Sequence, residues 1–337
     1  MKNKTILITG GAGFIGSNFV PYFLDKYESY NIINLDLLTY AGNLKNLKEC
    51  EINPRHKFIK GDICNRELME YIFSEYDIQG VIHFAAESHV DNSIKNPDAF
   101  IKTNIQGTFI LIDVAYKYWM NKPHKYKHQY KDCRFQHIST DEVYGTLNDT
   151  DLFTETTPYA PNSPYSASKA SSDMIVRSYN ETYGLNTITT NCSNNYGPKQ
   201  HDEKLIPTII KKALFNENIP IYADGKNIRD WLYVLDHCKA IDLVYHKGKK
   251  ANVYNIGGKN ERTNLQIVNK ICNILDEKRP KKKSYKNQIT FVQDRAGHDK
   301  RYAIDASKIE TNLNWKADEN FDTGIIKTIS WYLSKYA

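Results

Sequence analysis

The 337 residues are 41% hydrophobic and 25% charged, with a formal net charge of +6. Such a chain can bury a large core and a second lobe, and none of its apolar runs approaches the roughly 20 residues that cross a bilayer, so a soluble globular protein with no membrane partner is expected. Lysine is scattered instead of forming a basic stripe with interleaved aromatics, which disfavours a nucleic-acid partner.

The chain start, Met1-Lys2-Asn3-Lys4, has no apolar h-region, so no secretory leader is expected. Cys50, Cys64, Cys133, Cys192, Cys238 and Cys272 show neither C-x-x-C nor metal-like pairing with histidine; free thiols, no metal and a cytoplasmic location are expected. Residues 5–9 read as a buried strand that runs directly into Gly10-Gly-Ala-Gly13-Phe14-Ile15-Gly16 and a helix over 17–26. Glycines at this spacing permit a tight turn and let the backbone approach a pyrophosphate at a helix N-terminus. A second strand over 31–36 ends in Asp36, twenty residues after Gly16. A carboxylate there takes the adenosine ribose hydroxyls and repels a 2′-phosphate, which points to NAD over NADP.

A third strand over 58–63 ends in Asp62-Ile63, placed to meet the adenine. A fourth over 81–86 ends in Phe84-Ala85-Ala86, small enough for a cofactor to lie against it. Amphipathic stretches at 66–74 and 99–118 supply crossover helices. Alternating strands and helices with ligand-type residues at strand ends predict an α/β fold with a doubly wound (Rossmann) parallel sheet. The lysine-rich segments 121–131 and 278–284 read as solvated loops.

A fifth strand over 134–139 delivers Thr140-Asp141-Glu142, and a helix over 163–183 carries Tyr165 and Lys169 one turn apart on one face. A phenol ionises near pH 10. An ammonium beside it favours the phenolate, so Tyr165 is expected to act as a base, with Lys169 as the tuning charge. Two carboxyl groups in distinct environments can hold different protonation states. Because strand neighbours face opposite sides, Asp141 and Glu142 can serve one substrate only if the strand ends before them. A sixth strand over 185–192 reaches Ser193-Asn194-Asn195, which local chemistry alone reads equally well as turn asparagines. Arg229 and Arg295 are candidate phosphate forks, with a surface salt bridge as the alternative for each. A strand over 253–258 returns to the main sheet, and Thr263-Asn264 begins the helix over 265–275. The expected division is a cofactor domain over 1–190, joined by a later strand near 230–258, and a mainly substrate-binding lobe over 191–337.

The glycine turn, Thr140 and Tyr165-x-x-x-Lys169 together resemble the extended short-chain dehydrogenases/reductases. Ala85-Ala-Glu-Ser-His-Val-Asp91, Ser139-Thr-Asp-Glu-Val-Tyr-Gly145, Asn191-Cys-Ser-Asn-Asn-Tyr-Gly-Pro198 and Asp294-Arg-Ala-Gly-His-Asp299 resemble, within them, the nucleoside-diphosphate-glucose 4,6-dehydratases, and span nearly the entire chain. The resemblance implies a lyase that dehydrates dTDP-glucose to its 4-keto-6-deoxy product with bound NAD. Thr140, Tyr165 and Lys169 would act at the C4 hydroxyl, Glu142 at C5 and Asp141 at the C6 oxygen. It implies cofactor contacts from Gly10, Gly13, Phe14, Ile15, Gly16, Asp36, Leu37, Leu38, Thr39, Asp62, Ile63, Phe84, Ala85, Ala86, Glu87, Thr103, Tyr165, Lys169 and Asn195. It implies substrate contacts from Ser88, Thr140, Asn194, Lys204, Leu205, Pro220, Ile221, Tyr222, Arg229, Asn264, Arg295 and His298. A homodimer joined by a four-helix bundle of the helices around 104–118 and 163–183 is also implied. The alternatives are a UDP-glucose dehydratase, since one methyl in a pocket is worth only about 1 to 3 kcal/mol; a 4-epimerase, disfavoured by Asp141 and Glu142; and a silent NAD-binding regulator, disfavoured by the intact Thr140, Tyr165 and Lys169.

Overall fold

The computed structural model describes residues 3–294 and 299–336, so Arg295 and His298 lie outside the described residues. The strands are β1 (Lys4–Thr9), β2 (Tyr30–Asp36), β3 (His56–Lys60), β4 (Ile78–His83), β5 (Met120–Lys122), β6 (Lys125–Tyr126), β7 (Arg134–Thr140), β8 (Thr187–Cys192), β9 (Asn194–Tyr196), β10 (Ile219–Tyr222), β11 (Ile228–Tyr233), β12 (Val253–Ile256), β13 (Glu261–Thr263), β14 (Ile289–Val292) and β15 (Arg301–Tyr302). The helices that matter below are α1 (Phe14–Lys26), α2 (Arg66–Glu75), α3 (Val90–Lys95), α4 (Pro97–Phe100), α5 (Thr108–Trp119), α6 (Pro164–Tyr183), α7 (Leu205–Leu214), α8 (Val234–Lys247) and α9 (Asn264–Lys278).

Seven strands pair in parallel in the order β12-β8-β7-β4-β1-β2-β3. The direction of winding reverses beside β1, and in open parallel sheets ligands bind at such a reversal, beyond the strand C-termini. Sequence alternation explains the layering. On β1, Leu7 enters the core under α2, α5 and α6, while Ile6 and Ile8 enter the core under α1 and α8. A strand buried on both faces reads as an unbroken apolar run.

α6 is closed at both ends. Ser163 and Ser166 form a reciprocal cap, Pro164 occupies the first helical position, and Gly184 takes a left-handed conformation at φ 70°. Past β8 the chain crosses into a second lobe, where β11 pairs with β9, β13 and β15 and a separate core gathers around Trp231, Ile271 and Phe321. β12 then returns to pair with β8.

Two segments differ from expectation. The stretch over 121–131 forms the β5–β6 hairpin, because Tyr126 and Tyr130 anchor it: the Tyr126 hydroxyl accepts from the Asn186 amide at 2.6 Å, and buried Tyr130 donates to Asp77 at 2.8 Å. The single helix expected over 99–118 is instead α4, a π-helical stretch at Ile101–Gly107, and α5. Such wide turns concentrate at functional sites.

Candidate active site

A cavity of about 300 Å³ opens across the C-terminal ends of β1, β2, β4, β7 and β8. At one end the glycine turn forms a bare backbone floor. Gly10 has φ +74°, and a methyl group on it would lie 2.6 Å from the Ala85 nitrogen; one on Gly16 would lie 2.4 Å from the Gly10 carbonyl oxygen. Side chains here would collide with the backbone and force the turn apart, so only glycines keep the tight loop a pyrophosphate needs. Asp36 pins this turn: one carboxylate oxygen accepts from Ala12 N at 2.9 Å and the other from Leu38 N at 2.8 Å. Burial pushes its carboxyl above the usual carboxylate range despite these bonds. Each carboxylate oxygen has more than one acceptor site, so a ribose diol fits as well. The floor, the α1 N-terminus and Asp36 therefore suit an adenosine dinucleotide.

The walls collect most of the expected cofactor residues. Gly10, Gly13, Phe14, Ile15, Gly16, Asp36, Leu37, Thr39, Asp62, Ile63, Phe84, Ala85, Ala86, Glu87, Thr103, Tyr165, Lys169 and Asn195 all line the cavity. Leu38 does not; at φ 58° it turns back to pack against the α1 core. Asn104, in the π-helical stretch, ties the site together in a way the sequence did not signal. It accepts from Glu87 N at 2.8 Å and donates to the Glu87 carbonyl at 3.0 Å and to Ser168 Oγ at 2.8 Å, joining the 84–88 strap to the helix of Tyr165 and Lys169.

At the other end β7 stops at Thr140 and the chain coils into a 3₁₀ turn over Asp141–Tyr144, with Thr140 Oγ1 accepting from Glu142 N at 3.3 Å. The coil cancels the two-sided alternation of a strand. Asp141 and Glu142 consequently both line the cavity, together with Thr140, Tyr165 and Lys169. Burial first, then the charges of Glu142 and Asp230, hold the Asp141 carboxyl well above the usual carboxylate range. A buried carboxyl whose anion is disfavoured thus stands beside the Glu142 side chain.

Lys169 is buried on α6. Its ammonium donates to the Ile138 carbonyl at 2.8 Å, and Asp173, one turn further on, supplies its opposing charge. Burial and the charge of Glu142 push the Tyr165 phenol well above its ordinary value.

Of the expected substrate residues, Ser88, Asn194 and Lys204 stand on the wall, and Lys204 donates to the Ser88 carbonyl at 2.8 Å. Leu205, Pro220, Ile221, Tyr222, Arg229 and Asn264 lie outside it: Ile221 is in the second-lobe core, and Tyr222 is exposed. Arg229 is buried. It donates to the carbonyls of Ile228 at 2.7 Å and Asp299 at 2.9 Å and stacks 4.3 Å over the Tyr302 ring. Cys192, Ser193, Gln200, His201 and Glu203 also face the cavity; their one signal was position, at the end of β8 and in the segment that follows. Among the described residues no cluster suits a metal ion, all six cysteines are unpaired, and no helix is long and apolar enough to cross a membrane.

The GDP-mannose 4,6 dehydratase family model matches residues 7–328. The dTDP-glucose 4,6-dehydratase of Salmonella typhimurium is 54% identical over 338 residues, which cover 98% of this chain and 92% of the relative. A dTDP-glucose 4,6-dehydratase from Bacillus anthracis, solved in complex with NAD, is 48% identical with a TM-score of 0.86, covering 98% of this chain and 97% of the other. That of Streptomyces venezuelae, also solved with NAD bound, is 40% identical with a TM-score of 0.89 over the same shares. This chain therefore belongs to the GDP-mannose 4,6 dehydratase family, in which dTDP-glucose 4,6-dehydratases are its relatives at about half identity.

Proposed function

We propose that the protein is a lyase that converts dTDP-glucose to dTDP-4-keto-6-deoxyglucose and holds NAD as its resident cofactor. The observation that carries this reading is the buried Asp141 beside Glu142 at the same cavity end as Tyr165. Oxidising or epimerising an alcohol needs no such pair; eliminating water does.

Asp36 would hold the adenosine ribose and the Gly10–Gly16 turn the pyrophosphate. NAD, when bound, supplies the hydride acceptor for sugar C4 and the hydride donor for C6. The chain supplies the proton transfers. Tyr165, at the same cavity end as Thr140, takes the C4 hydroxyl proton. Glu142 takes the C5 proton, made acidic by the new C4 ketone, and Asp141 protonates the departing C6 hydroxyl. The need for a base with a lowered proton affinity at C4 falls to the loaded site, where a cationic nicotinamide ring favours the phenolate.

A second copy of this chain is the proposed partner. Ile101, Phe109 and Met174 are exposed on the adjoining π-helical stretch, α5 and α6, a surface suited to a four-helix bundle. The free thiols support a cytoplasmic home.

The test gives purified protein dTDP-glucose or UDP-glucose without added NAD and weighs the product by mass spectrometry. Loss of one water, faster from dTDP-glucose, is expected. Unchanged mass with both sugars refutes the lyase reading.

A further inference from the structure

Between β9 and α7 the chain runs through residues 198–204, which attach to both sides of the proposed cofactor floor. On the α1 side, Asn18 donates to the Pro198 carbonyl at 3.0 Å, while Lys199 donates to the Ser17 carbonyl at 3.0 Å and pairs with Glu49 in the 3₁₀ turn Leu44–Cys50. On the β4 side, Lys204 donates to the Ser88 carbonyl at 2.8 Å, and Glu203 stands 3.9 Å from His89. The glycine turn lies between these anchors, since Gly10 abuts Ala85 and Gly16 belongs to the first turn of α1. Gln200, His201, Glu203 and Lys204 line the cavity along the crossing; Lys199 does not.

We propose that residues 198–204 form a clasp that keeps the dinucleotide seated from one turnover to the next, with Lys199 as the positioning residue that latches it; the proposal rests on the resident-NAD reading above. The second lobe holds the clasp from its own side. Tyr332 donates its hydroxyl to the Gln200 carbonyl, and Asp202 accepts from Lys335 at 2.6 Å and from the Tyr336 hydroxyl at 2.7 Å. Three parts of the fold thus meet on seven residues: the second lobe, α1 and the 84–88 strap.

Lys199 is the charged link to α1. Its side chain is only 15% exposed, and its backbone sits at φ 69°, a left-handed conformation uncommon for lysine. Such conformations persist where surrounding contacts over-determine them, and they gather at ligand clamps. The proposed chemistry gives the clasp a purpose. The hydride taken from C4 must return to C6 of the same sugar, so a cofactor lost midway strands an oxidised sugar.

The test follows bound cofactor instead of activity. Parent, K199M, K199R, E49A and K259M holoenzymes are equilibrated with isotope-labelled NAD and mixed with a large excess of unlabelled NAD; label left on the protein is counted after desalting at successive times. K199M is expected to lose label about tenfold faster than the parent, the scale of a lost hydrogen bond from a charged group. E49A is expected to lose it about two- to fivefold faster, the scale of an exposed ion pair. K199R, whose guanidinium reaches the same acceptors, should restore the parent's rate. Lys259 is the control: it too is left-handed, at φ 53°, and pairs with Glu310 at 2.6 Å, yet neither residue lines the cavity, so K259M should exchange like the parent. K199M exchanging at the parent's rate overturns the clasp, as does K199R or K259M exchanging as fast as K199M. If circular dichroism finds K199M unfolded, E49A decides, and its exchange at the parent's rate overturns the clasp. A parent protein that binds no labelled NAD refutes the resident-cofactor reading itself, a result distinct from any of these.

Discussion

Replacing Gly10 with alanine puts a methyl group at the tightest point of the proposed cofactor floor. At φ +74° an L side chain costs roughly 1–2 kcal/mol. The added carbon would meet Ala85 N at 2.6 Å, Ala85 Cα at 2.7 Å and the Phe84 carbonyl carbon at 2.9 Å, all backbone, where ordinary contact begins at 3.4 Å. The end of β4 must therefore move by nearly 1 Å, and overpacking of this kind costs about 1–3 kcal/mol. Together the terms predict about 2–5 kcal/mol lost from folding. The shift also carries the 84–88 strap away from the glycine turn, so bound dinucleotide should fall by about 100-fold in affinity, the scale of a 1 Å misplacement. Urea melts and chromatography of acid-released NAD per chain measure the two effects. Gly13→Ala is the control: its methyl would meet only the Gly10 carbonyl, at 3.3 Å, and its φ of −76° is ordinary. A Gly10→Ala protein with the parent's melting midpoint and full NAD content would refute the reasoning.

Glu142→Gln should keep C4 oxidation and lose elimination by about 10²–10⁴-fold; reduced nicotinamide absorbance should then build up during turnover, and release of water at the parent rate would exclude Glu142 as the C5 base. Asp173 supplies a pH test of stability. Burial raises its carboxyl from 3.8 to about 6, against Lys169, Ser139 and Tyr159, so the folded protein binds that proton more tightly than the unfolded chain does. Stability from this group is full below about pH 4 and falls as pH rises to about 6, by roughly 3 kcal/mol at 1.36 kcal/mol per pH unit. The urea-melt difference between parent and Asp173→Asn should move by that amount, in the parent's disfavour, from pH 4 to pH 7; a constant difference would contradict it.

The cofactor half was the most legible part because its chemistry is local. A glycine turn, an acid at the end of the next strand and small residues after β4 are each set by neighbours in sequence, and they meet at one cavity. The acid pair was legible with one condition, that the strand end at Thr140, and the 3₁₀ turn at Asp141 meets it. The balance of charge around Tyr165 was harder to read because desolvation is a property of the packed site: spacing puts an ammonium near a phenol, while burial and Glu142 raise that phenol. Asn104 was missed because its three hydrogen bonds need a wide helical turn that an amphipathic stretch does not announce. The second lobe was hardest. Arg229 and Ile221 sit on neighbouring short strands whose pairing partners lie tens of residues away, so sequence alone could not separate a cavity wall from a core.

The most direct test of the central claim is to give the purified protein dTDP-glucose carrying deuterium at C4, in ordinary water, and to read the product methyl group by NMR. If one sugar stays against one resident NAD while Tyr165, Glu142 and Asp141 act in turn, the deuterium appears at C6 of the dehydrated product. A product methyl without the label, or recovered sugar with its water still in place, contradicts the account.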